Sequence, residues 1–327
     1  MRIPSIIDDL PVTSIGYSAF AQKMLTSILI PDSVTSIGSS TFSNNQLTSI
    51  IIPSSVTTIG YYAFANNQLT SVEIPNSVTS IGEGAFASNQ LTNVKMQDNA
   101  SIGKNVFINN NNPKLENDNG YTPVGCYKYV TQESYVEIAD YTCLGVANVK
   151  IIPTINNLPV TRIKEHAFKN KQLISVEIPS NIEEIGFEAF KNNQLTNIVI
   201  SEGVKYIGQD AFKDNQLTNV VIPGSVETIG GRAFENNQLT NVTISEGVIN
   251  IYNCAFLFNQ LTSIIIPSSV TIIEDSAFMK SNDSNQNLTK IINKTGRAFN
   301  WYSIVSSIQT PNSFITGTLD GVEIVAE

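Results

Sequence analysis

The stretch that decides the fold is NNQLTSIIIPSSVTTIGYYAFA at residues 44–65, because nearly the same 22 residues follow at once as NNQLTSVEIPNSVTSIGEGAFA at residues 66–87. A phenylalanine near the end of each copy marks the repeat. It recurs every 22 residues within each of two runs, at Phe20, Phe42, Phe64 and Phe86, and at Phe168, Phe190, Phe212, Phe234, Phe256 and Phe278. A fixed period of this length is typical of a solenoid, in which each coil buries its apolar face against its neighbours.

Within one copy, apolar and polar residues alternate as they do in a strand. The pattern L-x-x-I-x-I, as at Leu47, Ile50 and Ile52, turns apolar side chains toward the interior. Pro53 then ends the strand, because proline has no amide hydrogen to give to a ladder. A second extended piece at residues 56–59 turns two more side chains inward.

The end of each copy closes the coil. We expect Gly60 to form a turn and Ala63 with Phe64 to form a single helical turn. The predicted fold is therefore a β-rich repeat solenoid, whose stacked strands lie about 4.8 Å apart in one continuous parallel sheet.

An asparagine follows the marker phenylalanine by three residues in most copies. A side-chain amide at this bend can satisfy buried backbone groups of its own coil and of the next coil. We therefore predict a structural ladder rather than a ligand site for Asn45, Asn67, Asn89, Asn193, Asn215, Asn237 and Asn259.

Composition and charge limit the classes of partner. The chain has 327 residues, of which 14% are charged, and its formal net charge is -9. This acidic balance disfavours nucleic acid, which requires a basic surface, and it disfavours anionic membranes. The sequence contains no apolar run long enough to span a bilayer, so we expect neither nucleic-acid binding nor membrane insertion.

The period breaks in the middle of the chain, which predicts two tandem arrays. The polar run NNNNPKLENDNG at 109–120 reads as a linker, and YKYVTQESYVEIADY at 127–141 alternates as a β-hairpin does. IIPTINNLPVTRI at 151–163 repeats RIPSIIDDLPVTSI at 2–15 apart from one deletion. The predicted boundaries are 1–108 for the first array, 109–120 for the linker, 121–160 for the hairpin cap and leader, 161–286 for the second array and 287–327 for a C-terminal cap.

The pattern I-P-x-S-V-T-x-I-G-x-x-A-F followed by L-T-x-I-x-I-P resembles the BspA-like leucine-rich repeats of bacterial surface proteins, and it does so over almost the whole chain. The resemblance implies a leucine-rich-repeat solenoid with a parallel sheet and short helical turns, here in two arrays. In members of that family, a hairpin of this kind leads into the repeats as an N-terminal cap. We therefore expect that the first array has lost its own hairpin by truncation.

Few residues have the type and spacing of a catalytic or metal site. The single histidine, His166, lies two residues before a marker phenylalanine, in a slot that accepts every chemistry, so we expect an exposed and incidental side chain. One histidine builds neither a His-based metal site nor a Ser-His-Asp arrangement. Carboxylates such as Asp32, Glu202 and Glu246 follow strands and indicate a solvated surface. We expect no enzymatic activity, no cofactor and no metal.

Three cysteines remain. Cys254 occupies the same variable slot as the histidine, whereas Cys126 and Cys143 flank the hairpin. A disulfide between the two flanking cysteines and a pair of free thiols both stay open, and the free thiols are favoured because the two residues are slightly out of register.

The x positions of L-x-x-I-x-I face outward, and the third of them varies most. Apolar residues there form exposed strips of the kind that marks partner contacts, although β-branched residues at these positions also simply favour a strand. The ligand-binding candidates are Leu29, Ile51, Glu73, Lys95, Glu177, Val199, Val221, Thr243 and Ile265.

The resemblance implies a non-catalytic protein-binding or adhesion module of a bacterial cell-surface or secreted protein. Its partner would be a protein, such as a host extracellular-matrix protein, or a cell-surface glycan. The alternative is a structural spacer that displays other domains and has no ligand of its own. We expect a monomer.

Overall fold

The computed structural model describes residues 1–117, 120–279, 288–299, 304, 317–319 and 322–326. The chain forms two compact units: unit 1 comprises Met1–Lys128 and Tyr141–Ile152, and unit 2 comprises Tyr129–Asp140 and Pro153–Glu327. Each unit is a solenoid of stacked β-coils with almost no helix, so the predicted fold class is confirmed. The finer domain boundaries given above stay a prediction.

Unit 1 contains short strands, and most of them are two or three residues long. In chain order they are β1 (Ile6–Ile7), β2 (Leu10–Pro11), β3 (Ser14–Ile15), β4 (Ser36–Ile37), β5 (Thr58–Ile59), β6 (Ser71–Glu73), β7 (Ser80–Ile81), β8 (Asn93–Lys95), β9 (Ser101–Ile102) and β10 (Lys114–Glu116). A 3-10 helix at Val124–Cys126 and β13 (Asn148–Lys150) complete unit 1. Between them in the chain lie β11 (Tyr127–Thr131) and β12 (Val136–Tyr141), most of whose residues belong to unit 2. Strands β11 and β12 pair with each other, which confirms the predicted hairpin.

Unit 2 repeats the same alternation of short strands. They are β14 (Thr154–Ile155), β15 (Leu158–Ile163), β16 (Ser175–Glu177), β17 (Glu184–Ile185), β18 (Asn197–Val199), β19 (Tyr206–Ile207), β20 (Asn219–Ile222), β21 (Thr228–Ile229), β22 (Asn241–Ile244), β23 (Asn250–Ile251), β24 (Ser263–Ile266), β25 (Ile272–Ile273), β26 (Lys290–Asn293), β27 (Gly317–Leu319) and β28 (Val322–Ala326).

The strands form two kinds of parallel ladder rather than the single continuous sheet that we predicted. The continuous ladder contains the second extended piece of each coil, in the order β3-β4-β5-β7-β9 in unit 1 and β12-β15-β17-β19-β21-β23-β25 in unit 2. The strands of the L-x-x-I-x-I pattern, called face strands below, instead form separate small sheets such as β6-β8-β10 and β20-β22. Face strands stay short because the proline or serine turn after the last isoleucine ends each of them.

The core consists of columns of identical side chains stacked one above another. In one coil of unit 1, all of the inward positions are at most 9% exposed, namely Leu47, Ile50, Ile52, Val56, Ile59, Ala63 and Phe64. In unit 2, successive marker phenylalanines stack with ring centroids 4.9–5.4 Å apart. Such pairs add about 0.5–1.5 kcal/mol beyond the burial of the rings, so each coil is stabilised mainly by its two neighbours.

The predicted helical turn at the end of each coil is wrong. Tyr62 and Asn66 both have left-handed φ angles, of 53° and 55°, and the equivalent residues of other coils share them. The chain therefore makes separate turns, such as the one closed by the 3.1 Å hydrogen bond from the Ala65 amide to the Tyr62 carbonyl. A right-handed helix cannot pass through left-handed residues.

Gly60 serves close packing rather than a turn. A Cβ atom at Gly60 would lie 2.5 Å from the Ser39 nitrogen and 2.6 Å from the Gly38 carbonyl carbon of the preceding coil. Glycine is required here because the backbones of two coils lie in close contact. Its φ is not left-handed, so the turn itself does not require glycine.

The predicted asparagine ladder is confirmed, but each asparagine bonds to the preceding coil rather than to the next one. The Asn67 Nδ2 donates to the carbonyl of Phe42 at 2.9 Å and to that of Phe64 at 3.1 Å, while its Oδ1 accepts from the Leu47 amide at 3.1 Å. Each asparagine thus joins its own coil to the one before it, because the bend places its amide over the earlier phenylalanine carbonyl.

Part of the segment that reads as a linker is ordered as a coil. Strand β10 pairs in parallel with β8, and Leu115 lies beside Val94 and is 1% exposed. One apolar residue among many polar ones gives too little periodicity to reveal a strand in the sequence.

Cys126 and Cys143 form a disulfide, so the preference for free thiols was wrong. The two residues immediately flank the hairpin strands, and the Thr142 amide donates to the Cys126 carbonyl at 2.8 Å. This contact holds the two ends of the hairpin together. The alternation of strand residues in the sequence does not show that the two cysteines lie so close.

Candidate functional site

The candidate residues of unit 1 lie on the outer side of the L-x-x-I-x-I segments. Glu73 and Lys95 belong to face strands, whereas Leu29 forms a single bridge with Arg2 and Ile51 lies outside the strands. Ile51 is 78% exposed and Leu29 is 48% exposed. Glu73 on β6 lies directly beside Lys95 on β8, and their Oε1 and Nζ atoms are 3.7 Å apart. This surface therefore combines apolar side chains with one solvent-exposed ion pair.

The candidate residues of unit 2 form a similar column. The register places Glu177 beside Val199 and Val221 beside Thr243. Val199, Val221 and Ile265 are 57%, 59% and 46% exposed, respectively. Together with those of unit 1, these nine candidates are called the exposed strand face below.

Strand alternation explains why these side chains point outward. Val221 lies between Val220 and Ile222, which are 3% and 0% exposed, so the pleat leaves the middle residue on the solvent side. β-branched side chains have few accessible rotamers. A partner that covers them therefore causes only a small loss of side-chain conformational entropy. The face is chemically suited to contact with another molecule, and none of its groups forms a reacting pair.

Unit 2 also carries a cluster of charges that sequence analysis missed. We call it the ion-pair ladder, and it contains His166, Lys169, Glu188, Lys191, Asp210, Lys213, Arg232 and Glu235. Its acidic members Glu188 and Asp210 are 8% and 5% exposed, although we expected their slot to be solvent-exposed. Lys169 and Lys191, each one residue after a marker phenylalanine, contact these carboxylates because the stacked coils place that position beside the slot.

Glu188 is the centre of the ladder. It contacts Lys169 in a short ion pair, the Lys191 Nζ at 2.6 Å and the His166 Nε2 at 3.0 Å. Burial by itself would raise the pKa of Glu188, but the hydrogen bonds from Lys169 and Lys191 outweigh it and lower the pKa to about 2. Burial likewise opposes the charge of Lys191, but hydrogen bonds to Glu188 and Asp210 prevail and raise its pKa.

His166 is exposed, as expected, but it is not incidental. Its Nε2 lies 3.0 Å from the Glu188 Oε2, and its ring packs edge-on against Phe187 with centroids 5.3 Å apart. The sequence does carry a signal of this ladder. The slot two residues before the marker phenylalanine and the position one residue after it both recur every 22 residues. In unit 2 the slot holds acidic residues and the later position holds lysines, namely Glu188 and Asp210, and Lys169, Lys191 and Lys213.

The other carboxylates singled out in the sequence, Asp32, Glu202 and Glu246, are exposed as expected. Glu246 accepts hydrogen bonds from the Ser268 amide and hydroxyl at 3.0 and 2.9 Å, and these bonds lower its pKa. It therefore fastens one turn to the next.

Among the described residues there is no group of three or more His, Cys, Asp or Glu side chains that could hold a metal ion. The described helical segments include none with the length and apolar character of a membrane span.

Comparison with known proteins gives one family. The BspA type leucine rich repeat region matches in 6 copies, over residues 13–129, 161–285 and 227–317. No curated protein matches the sequence.

Three solved structures illustrate the likeness of fold. A leucine-rich repeat protein from Bacteroides ovatus is 21% identical, with 100% of this chain and 91% of that chain covered and a TM-score of 0.42. A leucine rich cell surface protein from Faecalibacterium prausnitzii is 24% identical, with coverages of 94% and 91% and a TM-score of 0.37. The pneumococcal vaccine antigen PcpA is 18% identical, with coverages of 90% and 84% and a TM-score of 0.40. At these identities and scores, the likenesses say nothing about what this chain binds.

Proposed function

The chain belongs to the BspA type leucine rich repeat family, and from this premise we propose that it is a non-catalytic binding module of a bacterial cell-surface or secreted protein. The coarser description, a protein-binding or structural repeat module, follows from the family. The finer proposal is that the module is adhesive, and that the exposed strand face contacts a protein partner such as a host matrix protein.

One observation carries the proposal. Val199, Val221 and Ile265 remain about half exposed or more on strands whose flanking apolar residues are buried. Each is held by a rigid ladder, so a partner would cover preformed apolar surface rather than order a flexible loop. Thr243 lies beside Val221 in the same column, and exposed apolar surface on a sheet of this kind marks interaction sites.

The disulfide supports a place outside the cytoplasm. Disulfides such as Cys126–Cys143 persist in oxidising compartments and are rare in the reducing cytosol of most cells. A cell-surface or secreted location fits this chemistry.

The test replaces Val199, Val221 and Ile265 together with serine in the whole chain. Wild type and variant are assayed for binding to immobilised fibronectin, fibrinogen, collagen, mucin glycans and cell-wall polymers at physiological salt. We expect saturable binding of wild type to at least one of these, and at least a tenfold weaker Kd for the variant, because apolar contact area is lost.

A matched control replaces Tyr206, Ile249 and Ile272 with serine, since these three residues are similarly exposed at 40%, 38% and 45% but belong to the continuous ladder or its edge. The control should bind like wild type. Equal weakening in both variants would reject the exposed strand face. A folded wild-type protein that binds no member of the panel would favour the spacer alternative.

A further inference from the structure

A groove lies over the continuous ladder of unit 2, where β15, β17 and β19 pair with one another. Its volume is about 560 Å³. Gly186 and Gly208 line it, and they occupy the position of Gly60 in two successive coils. Because glycine has no side chain, the neighbouring side chains rise above these two residues as walls. The volume lies within the range of about 300–1,000 Å³ that is typical of sites for small ligands.

Two aromatic side chains line this groove and remain open to solvent. Tyr206 and Phe187 are 40% and 39% exposed. They flank the glycines, since Tyr206 comes two residues before Gly208 and Phe187 comes one residue after Gly186. His166 packs edge-on against Phe187 and steadies that ring. Exposed rings in a concave site offer a ligand a large apolar contact area.

The backbone of the groove has no free edge for a peptide strand. The Gly186 amide donates to the Ile163 carbonyl at 2.8 Å, and the Gly208 amide donates to the Ile185 carbonyl at 2.8 Å. Strand β17 is paired on both sides, with β15 and with β19. An added strand needs an unpaired sheet edge, so a ligand of this groove is bound by side chains instead.

The charges in the groove favour an uncharged ligand. The Arg162 Nη1 lies 3.7 Å from the Glu137 Oε1, and its Nε lies 3.5 Å from the Glu184 Oε2. The Lys164 Nζ lies 3.6 Å from the Glu137 Oε2. Both cations therefore already have carboxylate neighbours, and Glu165 adds a further negative charge to the lining. An anionic ligand meets these carboxylates, whereas a cationic ligand meets the two basic groups, and like charges repel.

The groove also contains groups that bind hydroxyls. Gln209 is exposed, and its side-chain amide has no hydrogen-bond partner among the described residues. The side chains of Glu184 and Arg162 are 40% and 48% exposed. An amide both donates and accepts, a carboxylate accepts and a guanidinium donates. Donors and acceptors thus stand beside the aromatic rings.

The same position of the coil forms a groove in unit 1, with a volume of about 530 Å³. There Tyr61 takes the place of Phe187, but Ser80 takes the place of Tyr206. The repeat therefore provides the groove in both units, and the pair of exposed aromatic rings distinguishes unit 2.

From these observations we propose that the groove of unit 2 formed by Arg162, Glu184, Phe187, Tyr206 and Gln209, called the glycan groove below, binds an uncharged glycan. A sugar ring carries C–H groups on its faces and hydroxyls around its edge. The C–H groups pack on the two aromatic rings, whose negative faces attract them. The three polar side chains bind the hydroxyls. This site is separate from the exposed strand face and does not depend on the function proposed above.

The test first screens the full-length protein on an array of uncharged and acidic glycans. The uncharged glycan that binds best is then titrated as a free oligosaccharide by isothermal titration calorimetry. We expect saturable binding. In saturation-transfer NMR, the ring C–H protons of the bound sugar should receive the strongest transfer, because they contact the aromatic rings.

Variants of the protein locate the site. Tyr206→Ala and Phe187→Ala should each raise the Kd at least tenfold, because each removes an aromatic face. Tyr206→Phe keeps the ring and should stay within about twofold of wild type. Phe258→Ala is the matched control, because Phe258 is also 40% exposed in unit 2 but does not line the groove. Circular dichroism establishes that each variant is folded.

Two further variants separate this site from the exposed strand face. The triple serine variant of that face should bind the glycan like wild type. The triple serine variant that includes Tyr206 should lose the glycan but keep its binding to a matrix protein. A failure of one site is therefore distinguishable from a failure of the other.

The proposal is overturned if the folded protein binds no uncharged glycan on the array, or if it binds acidic glycans in preference. It is also overturned if Tyr206→Ala and Phe187→Ala bind with the affinity of wild type. Weakening by Phe258→Ala as large as that by Tyr206→Ala would overturn the assignment to this groove.

Discussion

At the scale of single residues, the asparagine ladder carries much of the stability between coils. Asn215 is 7% exposed, and its Nδ2 donates to the carbonyls of Phe190 and Phe212 at 3.0 Å each. Its Oδ1 accepts from the Leu195 amide at 3.1 Å. Asn215→Ala would leave three buried backbone groups unpaired, at a cost of about 1–3 kcal/mol for each group that water cannot reach. We expect a loss of about 3 kcal/mol in the free energy of unfolding of unit 2, measured by urea denaturation.

Asn197→Ala provides the control for that prediction, because Asn197 is an exposed residue of β18 in the same unit. Its effect should stay within about 0.5 kcal/mol. Similar losses for the two variants would mean that the ladder contributes no more than a surface asparagine does.

The identity of the ladder residues was predictable, since an invariant offset from the marker phenylalanine repeats at the period of the coil. The direction of the bonds was not. Asn67 bonds to the preceding Phe42 and not to the following Phe86, and Asn66 at the same bend has a left-handed φ of 55°. Periodicity fixes which residues stack but not the backbone angles between them.

At the scale of elements, the ion-pair ladder joins successive coils of unit 2 through Glu188. Because the pKa of Glu188 is lowered from 4.5 to about 2, folding favours its ionised form. The stabilisation is complete above the unfolded pKa near 4.5, and it is lost as the pH falls through 4.5 toward 2. We expect wild type to lose roughly 1–2 kcal/mol more than Glu188→Gln over this window, allowing for solvent screening of the lysines.

Thermal unfolding at several pH values between neutral and acidic tests this expectation, and Glu202→Gln, which removes an exposed carboxylate, is the control. Parallel pH profiles for wild type and Glu188→Gln would show that the ladder does not contribute to acid sensitivity. The charges themselves were visible in the sequence. Their pairing was not recognised, because Lys169 and Glu188 are 19 residues apart and meet only when the coils stack.

Elements with strong alternation were the easiest to predict, and the hairpin of β11 and β12 is the clearest case. The elements that were missed depend on tertiary contact. Strand β10 exists because Leu115 finds Val94 in the adjacent coil, and the expected helical turn fails because two left-handed residues interrupt it. The exposed strand face follows from alternation, but no property of one sequence says what binds there.

At the scale of the whole molecule, each unit is quasi-one-dimensional, since every coil contacts only its neighbours along the stack. A unit should therefore tolerate the loss of one complete coil. Deleting residues 193–214 removes one 22-residue period and joins Asn192 to Asn215, so the sequence across the new junction still reads as a repeat. Phe190 should then stack on Phe234 as it does on Phe212 in the intact chain.

We expect this variant to remain folded and to unfold cooperatively, with a modest loss of stability from one missing interface between coils. The control deletes residues 193–203 only, which is 11 residues or half a period. Half a coil would place Phe212 opposite the wrong column and turn apolar side chains outward, so this control should not fold normally. Circular dichroism and thermal unfolding distinguish the two. If both deletions were equally disruptive, stability would have to come from contacts that reach beyond adjacent coils, and the nearest-neighbour description of these units would fail.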